Sequence, residues 1–273
     1  MQSVTSFYSD EERSLGREFL SRGYVVRDVC DRGALEAIRD KVVELACDHL
    51  KCARPNNVGE FLDHIHETVT PATLNALRLA IYHGMNAVEW LRPSYFAVAR
   101  RHLEMLLGNE LAMQNKVNLS IQMPNDDSSV LPIHADAFGG ETPFQVVVWL
   151  PLVDCIRTKS MFILPYEQNR KILPLMNQFR DGGMAEAYER VKDQLIWLDV
   201  PYGTVLVFSP NQLHGNIVNA EPTSRWSMNC RLTGLFTPYT SHEKKLGSYY
   251  LPITMRPVSQ IGLDYEPPGG FQE

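Results

Sequence analysis

The sequence predicts an α+β chain in which helices come first and a barrel or sandwich of short strands follows. Three observations carry this. Residues 1–110 show helical apolar spacing with capping residues at the breaks. From residue 111 to 236, short β-like runs alternate with turn residues. The chain has 273 residues, 44% hydrophobic and 21% charged, which suffices for one large core, so a single domain over 1–273 is expected.

Ser9, three residues before Glu12, makes a capping box at the start of the first helix. Gly23 precedes the short β-like run Tyr24-Val25-Val26. Asp31 caps a helix whose Leu35, Ile38, Val42, Leu45 and Ala46 share one apolar face. Thr70-Pro71 places a cap before proline at the first helical position. Pro93 opens another helix that ends near Gly108. The expected strands cover residues 111–123, 144–150, 161–164, 204–208 and 225–236, interrupted by a polar helical insert at about 169–192. Residues 237–273, with Pro238, Pro252, Pro257, Pro267, Pro268 and Gly269-Gly270, are expected to form a loop-rich tail with a mobile end.

The net charge of -6 argues against binding a phosphate backbone, so no nucleic-acid partner is expected. Five cysteines (Cys30, Cys47, Cys52, Cys155 and Cys230) form no CxxC pair and no disulfide framework, which suits a reducing cytoplasm. The N-terminus lacks the pattern of a secretion signal, and no run approaches a membrane span. A small-molecule substrate is the expected partner; oligomeric state is not legible.

The chemistry starts at His134-Ala135-Asp136. His134-Ala135-Asp136 is read as part of a strand, where residues two apart face the same way, so an imidazole and a carboxylate point into one space. A third ligand completes a facial triad with open positions suited to Fe(II), and His214, after the apolar run 205–208, is the candidate. An HxD pair alone is a weak signal. Arg225 follows His214 by eleven residues (225 minus 214), on the next strand, where it can grip a carboxylate in a bidentate pair. Ser227 shares its face. Strand alternation extends the pattern: Arg225, Ser227, Asn229 and Arg231 share one face, as do Lys116, Asn118, Ser120 and Gln122. Either set could be the wet face of a sheet. Flanking an HxD pair, they are expected to line a ligand cavity, with Asn118 and Gln122 among the cosubstrate-binding residues.

These residues resemble the phytanoyl-CoA dioxygenase-like branch of Fe(II)/2-oxoglutarate oxygenases over residues 20–235. The resemblance also covers Gly23-Tyr24, Trp149, the run 161–165 and Asn219. Within that branch, residues 118–122, 128–136, 143–155 and 158–161 are similar to oxygenases of bacterial surface-glycan gene clusters. The resemblance implies a double-stranded β-helix, a jelly-roll or cupin-like barrel, with N-terminal helices packed on it. It implies iron on His134, Asp136 and His214, 2-oxoglutarate on Arg225, and a cosubstrate pocket shaped by Ser227 and Trp149. O2 is the second cosubstrate. The implied reaction is hydroxylation or a related oxidation of a C–H bond in a carbohydrate or carbohydrate-derived molecule, with release of succinate and CO2. Asp136 speaks against halogenation, which would need its place for halide. The chain departs from the family at Pro165-Tyr166-Glu167-Gln168-Asn169, a loop that often borders substrate. The alternative function is a cupin-like isomerase or sugar-binding module, which would need neither Arg225 nor Ser227.

Other residues carry lesser expectations. His64 and His66, beside Asp63 and Glu67, are expected to be polar loop or substrate wall, since no third metal ligand has suitable spacing. Cys47, His49 and Cys52 do not share a helix face well enough for zinc. Trp149 divides evenly between core and pocket. Gln145 and Gln122 could touch ligand or pair with each other. Arg231 could contact an anion or pair with a carboxylate of the tail. The insert, with Asn169, Arg170, Lys171, Asn177, Gln178, Arg180, Asp181 and Gly182-Gly183, could act as a lid.

Overall fold

A computed structural model describes residues 6–179, 183–239 and 241–266. Helix α1 (Asp10–Arg22) starts at the expected capping box: the Glu12 amide donates to Ser9 Oγ at 3.2 Å and the Ser9 amide to Glu12 Oε2 at 2.7 Å. It ends on Gly23, whose left-handed φ of 79° suits a residue without Cβ. A Cβ there would also strike the Gln212 side chain, which donates from Nε2 to the carbonyls of Arg22 and Leu164. The end of α1 is thereby tied to the loop that carries His214. Strand β1 (Tyr24–Asp28) follows at once.

Asp31 caps α2 (Arg32–Leu50) by accepting from the Ala34 amide at 2.9 Å. Leu35, Ile38, Val42, Val43 and Ala46 are fully buried, the four larger ones contributing about 1.5–3 kcal/mol each. Leu45, expected on that face, is half-buried against Gly84. Next come α3 (Val58–Asp63), α4 (Pro71–Asn86), α5 (Leu91–Ala97) and α6 (Arg100–Leu107). The helix expected from Pro93 to Gly108 is thus two helices, broken at Val98-Ala99. The buried Tyr95 hydroxyl lies 3.0 Å from the carbonyls of both Val148 and Met228, docking α5 on the sheet.

The strands are β2 (Leu111–Gln114), β3 (Asn118–Gln122), β4 (Gln145–Pro151), β5 (Phe162–Ile163), β6 (Ile196–Trp197), β7 (Thr204–Phe208), β8 (His214–Gly215), β9 (Arg225–Gly234) and β10 (Tyr250–Thr254). A seven-stranded antiparallel sheet runs β1-β7-β4-β9-β2-β10, with β3 also on β9; a smaller sheet runs β6-β5-β8. The run expected at 111–123 is therefore two strands. The ten-residue β9 pairs β3 through its first half and β2 through its second, with Ser120 opposite Ser227. The N-terminal helices cover one face of the large sheet, and the main core lies between them.

The insert contains α7 (Tyr166–Ile172), a 3₁₀ stretch (Leu173–Phe179) and α8 (Gly183–Val191). Its Met176, Ala187 and Val191 pack on Phe162, Leu164 and Leu213 in a second apolar cluster. It is part of the wall behind the small sheet, so the lid expectation finds no detached segment among the described residues. Arg180, Asp181 and Gly182 lie outside them, as do the side chains of Asn177 and Gln178. The tail differs from expectation: β10 pairs β2 at the sheet edge, and α9 (Pro257–Leu263) follows. Pro252 is tolerated because an edge strand leaves one row of amides unpaired. The expected mobile end, 267–273, lies outside the described residues. No helix among the described residues is long and apolar enough to cross a membrane.

Candidate metal centre and cosubstrate pocket

The strand expected at His134-Ala135-Asp136 is not formed, because a 3₁₀ turn begins at Asp136. His134 forms an isolated antiparallel bridge with His214, each amide donating to the other's carbonyl at 2.9 Å. Ala135 is extended, and a 3₁₀ turn (Asp136–Gly139) starts immediately after it. The expected same-side geometry survives: His134 Nε2 is 3.6 Å from Asp136 Oδ1. The His134 and His214 rings are 4.4 Å apart, and one ligand atom from each of the three residues falls within 4.8 Å of the others.

Both imidazoles are oriented alike. His134 Nδ1 lies 2.8 Å from Pro132 O, and His214 Nδ1 lies 2.8 Å from Gln212 O. A carbonyl only accepts, so Nδ1 carries the proton and Nε2 is left with its lone pair, as a metal requires. Phe208 stands edge-on to His214 at 4.8 Å. Further back, the buried Asn169 side chain accepts from the Leu213 amide at 2.8 Å and donates to Asn211 O at 3.0 Å. Asn169 is a pin for the His214 segment.

Burial dominates the proton affinity of His214 and, with the neighbouring His134, pulls it down to about 4, so it is neutral near pH 7. Burial also lowers His134, but the Asp136 carboxylate 3.6 Å away and Pro132 O favour its protonated form, outweigh burial and raise it. Burial alone would raise Asp136. The close His134 imidazole, protonated at low pH along with His214, and the permanent charge of Arg231 overcome it and hold the carboxyl well below the usual carboxylate range. The set is two imidazole nitrogens and one carboxylate on a single wall, which fits Fe(II).

The same cavity, about 100 Å³, is lined by Ser120, Val147, Trp149, Met161, Asn216 and Arg225 among others. Arg225 is buried, which pulls its guanidinium down to about 10, still cationic at neutral pH. It donates to Ser160 O and to Ser120 Oγ at 3.1 Å each. Its Nε, with the hydroxyls of Ser227 and Ser160, has no partner among the described residues. Buried donors are normally satisfied, so an arginine in the cavity wall with an idle Nε can take an anion. A 2-oxoglutarate carboxylate fits that donor set.

The remaining expected site residues divide. Trp149 is both buried and part of the lining. Asn118 supports the wall by donating to Asn229 Oδ1 at 3.1 Å. Gln122 stands outside the lining; it donates to Ile217 O and accepts from Asn216 Nδ2, bracing the turn after His214. Gln145 pairs with Glu141 and Tyr250, not with Gln122. Lys116 is exposed and outside the cavity. Arg231 pairs with Asp136 and Glu141 rather than with a tail carboxylate. Glu67 supplies the third donor that spacing excluded at His64 and His66, because a 3₁₀ turn (Ile65–Glu67) folds it back. There, His64 pairs with Glu67 at 3.0 Å and His66 bonds Ser224 at 2.9 Å. The sequence missed Asn216, although it lies two residues beyond His214 and shares its direction.

No family model matches the chain, and no curated protein matches it in sequence. Solved structures do match. The nickel complex of the non-heme monooxygenase ThoJ is 16% identical, with a TM-score of 0.56 over 90% of this chain and 85% of that one. HygX from Streptomyces hygroscopicus, with nickel and 2-oxoglutarate bound, is 12% identical, with a TM-score of 0.51 over 85% and 89%. SnoK, an alpha-ketoglutarate-dependent carbocyclase from nogalamycin biosynthesis, is 14% identical, with a TM-score of 0.51 over 91% and 97%. The chain shares the fold of these oxygenases. Its helices and antiparallel sheets are the α+β jelly-roll arrangement expected from the sequence.

Proposed function

We propose that the protein is an Fe(II)- and 2-oxoglutarate-dependent oxygenase that oxidises a C–H bond of a small polar molecule, releasing succinate and CO2. One observation carries this reading. A two-histidine, one-carboxylate wall and a buried arginine with no carboxylate partner among the described residues line the same cavity. A cupin-like isomerase or sugar-binding module would have no use for the second feature.

His134, Asp136 and His214 would hold the iron, which with 2-oxoglutarate and O2 supplies the oxidising power. Arg225 would orient the cosubstrate by its distal carboxylate, with Ser227 as a further donor. Val147, Trp149, Met161 and Phe208 exclude water from this end of the cavity. Asn216 and Asn229 supply polar groups to its lining, which suits a hydroxylated substrate. A carbohydrate or carbohydrate-derived molecule is the substrate class proposed, on the likeness of residues 118–122 and 128–136 to glycan-cluster oxygenases.

The test is anaerobic addition of Fe(II) and 2-oxoglutarate to apoprotein, followed by exposure to air. A weak visible charge-transfer band, then succinate formation, is expected. No band and no succinate would favour the isomerase or binding-module alternative.

A further inference from the structure

Asp136 holds its two oxygens in unlike surroundings. Oδ2 receives Arg231 Nη2 at 2.8 Å and Nε at 3.1 Å, whereas Oδ1 faces the imidazole of His134. Arg231 cannot follow a turning carboxylate. Its Nη1 donates to Gln114 Oε1 at 3.4 Å, and its Nε is 3.7 Å from Glu141 Oε1. Glu141 is itself buried and fixed by Lys244 at 2.8 Å, Tyr250 at 2.7 Å and Gln145 at 3.1 Å. Burial would raise the Glu141 carboxyl, but Lys244 and Tyr250 lower it, so it stays charged opposite Arg231.

From this we infer that Arg231 is a positioning residue that restricts Asp136 to ligation through one oxygen and so leaves room on the metal for 2-oxoglutarate. The inference rests on the function proposed above. A metal in octahedral surroundings, held by two histidines and one carboxylate oxygen, leaves room for a chelating 2-oxoacid and for O2. A carboxylate bound through both oxygens would consume part of that room. An outer partner of a metal ligand ordinarily strengthens metal binding. Arg231 differs because its charge opposes the incoming cation. Removing it relieves that repulsion while freeing Oδ2, so metal and cosubstrate affinities should respond differently.

The experiment titrates apoprotein with Ni(II), then titrates Ni-loaded protein with 2-oxoglutarate, both by calorimetry. The chains are wild type, Arg231→Met, Arg231→Lys and His214→Ala. In Arg231→Met, Ni(II) affinity should stay within about fivefold of wild type, while 2-oxoglutarate affinity falls about 10- to 100-fold. Arg231→Lys keeps the charge but not the two-donor grip, and should lose at least half of that affinity on a logarithmic scale. It also decides the matter if the methionine variant fails to fold. Unchanged 2-oxoglutarate affinity would overturn the inference. So would a parallel fall in both affinities, which is what simple damage to the site would give. Wild-type behaviour of Arg231→Lys would overturn it too, since charge alone would then suffice. If wild type takes up no more Ni(II) than His214→Ala, the proposed function itself fails, whatever Arg231 does.

Discussion

Replacing Arg225 by methionine should weaken cosubstrate binding about 100-fold while leaving the fold at least as stable. Arg225 is a buried cation with no carboxylate partner among the described residues; it makes two hydrogen bonds and leaves Nε idle. Two charge-assisted bonds to a carboxylate are together worth about 3 kcal/mol, so the variant should bind 2-oxoglutarate about 100-fold more weakly. Thermal unfolding in the presence of Ni(II) reads this directly. At a ligand concentration of about 100 times its Kd, wild type gains about 2.7 kcal/mol, and the variant at the same concentration about 0.4. For a chain of this size those values correspond to rises in Tm of about 5–10 °C and about 1 °C. Without cosubstrate, the variant should match or exceed wild type, because an uncompensated buried charge has been removed. A full 2-oxoglutarate shift in the variant would refute the assignment. A fall of about 10 °C in the variant without cosubstrate would show instead that Arg225 is a structural ion.

Four further outcomes follow from the geometry. His134→Ala, Asp136→Ala and His214→Ala should each eliminate succinate formation with the far-ultraviolet circular dichroism unchanged; near-normal turnover in any one would remove that residue from the site. His134 protonates above its ordinary value of 6.5 and must lose that proton to bind metal, so Ni(II) affinity should weaken from pH 8 to pH 6 by up to about tenfold per unit. His214, already neutral down to about 4, adds no slope there, and a flat calorimetric profile would contradict this assignment. A Cβ on Gly215 would lie 2.8 Å from Leu131 O and 2.9 Å from the Phe162 ring, so Gly215→Ala should cost about 1–3 kcal/mol in denaturant unfolding and weaken metal uptake beside it. Asn169→Ala strands the Leu213 amide and should cost about 1–3 kcal/mol, with faster hydrogen exchange at residues 211–214; unaltered exchange would mean the segment is held by other means.

The parts of the fold legible in the sequence are those set by neighbouring residues. The Ser9–Glu12 box, the Asp31 cap and the alternation along β9 depend on contacts a few residues apart, and they stand as expected. The three ligand candidates were legible because each is a chemically unusual side chain in an ordered arrangement. What escaped depends on distant pairing. Arg231 meets Asp136 across 95 residues through tertiary packing, and nothing local to Arg231 signals that partner. Proline-rich composition concealed β10, since an edge position removes the usual objection to Pro252. The gathering of His64, His66 and Glu67 escaped because a 3₁₀ turn was not expected there.

The His134–His214 bridge has a consequence for how the molecule opens. Two main-chain hydrogen bonds join residues 134 and 214, flanked by Asn216 N to Leu131 O and Ala137 N to Pro210 O, and Asp136 and His214 stand 78 positions apart (214 minus 136) along the chain. The small sheet behind them has strands of two residues each, so little cooperative pairing resists fraying. An ion shared by all three side chains would act as a clasp across that long loop, removing conformational freedom from the opened state much as a crosslink does. Residues 131–136 and 212–216 should therefore be among the first to exchange their amide hydrogens and the first cut by protease in apoprotein. Metal should protect both stretches together while leaving exchange in α2 and α4 unaltered. In this protein the ligands that would serve the chemistry would also close the junction between two stretches far apart in the chain.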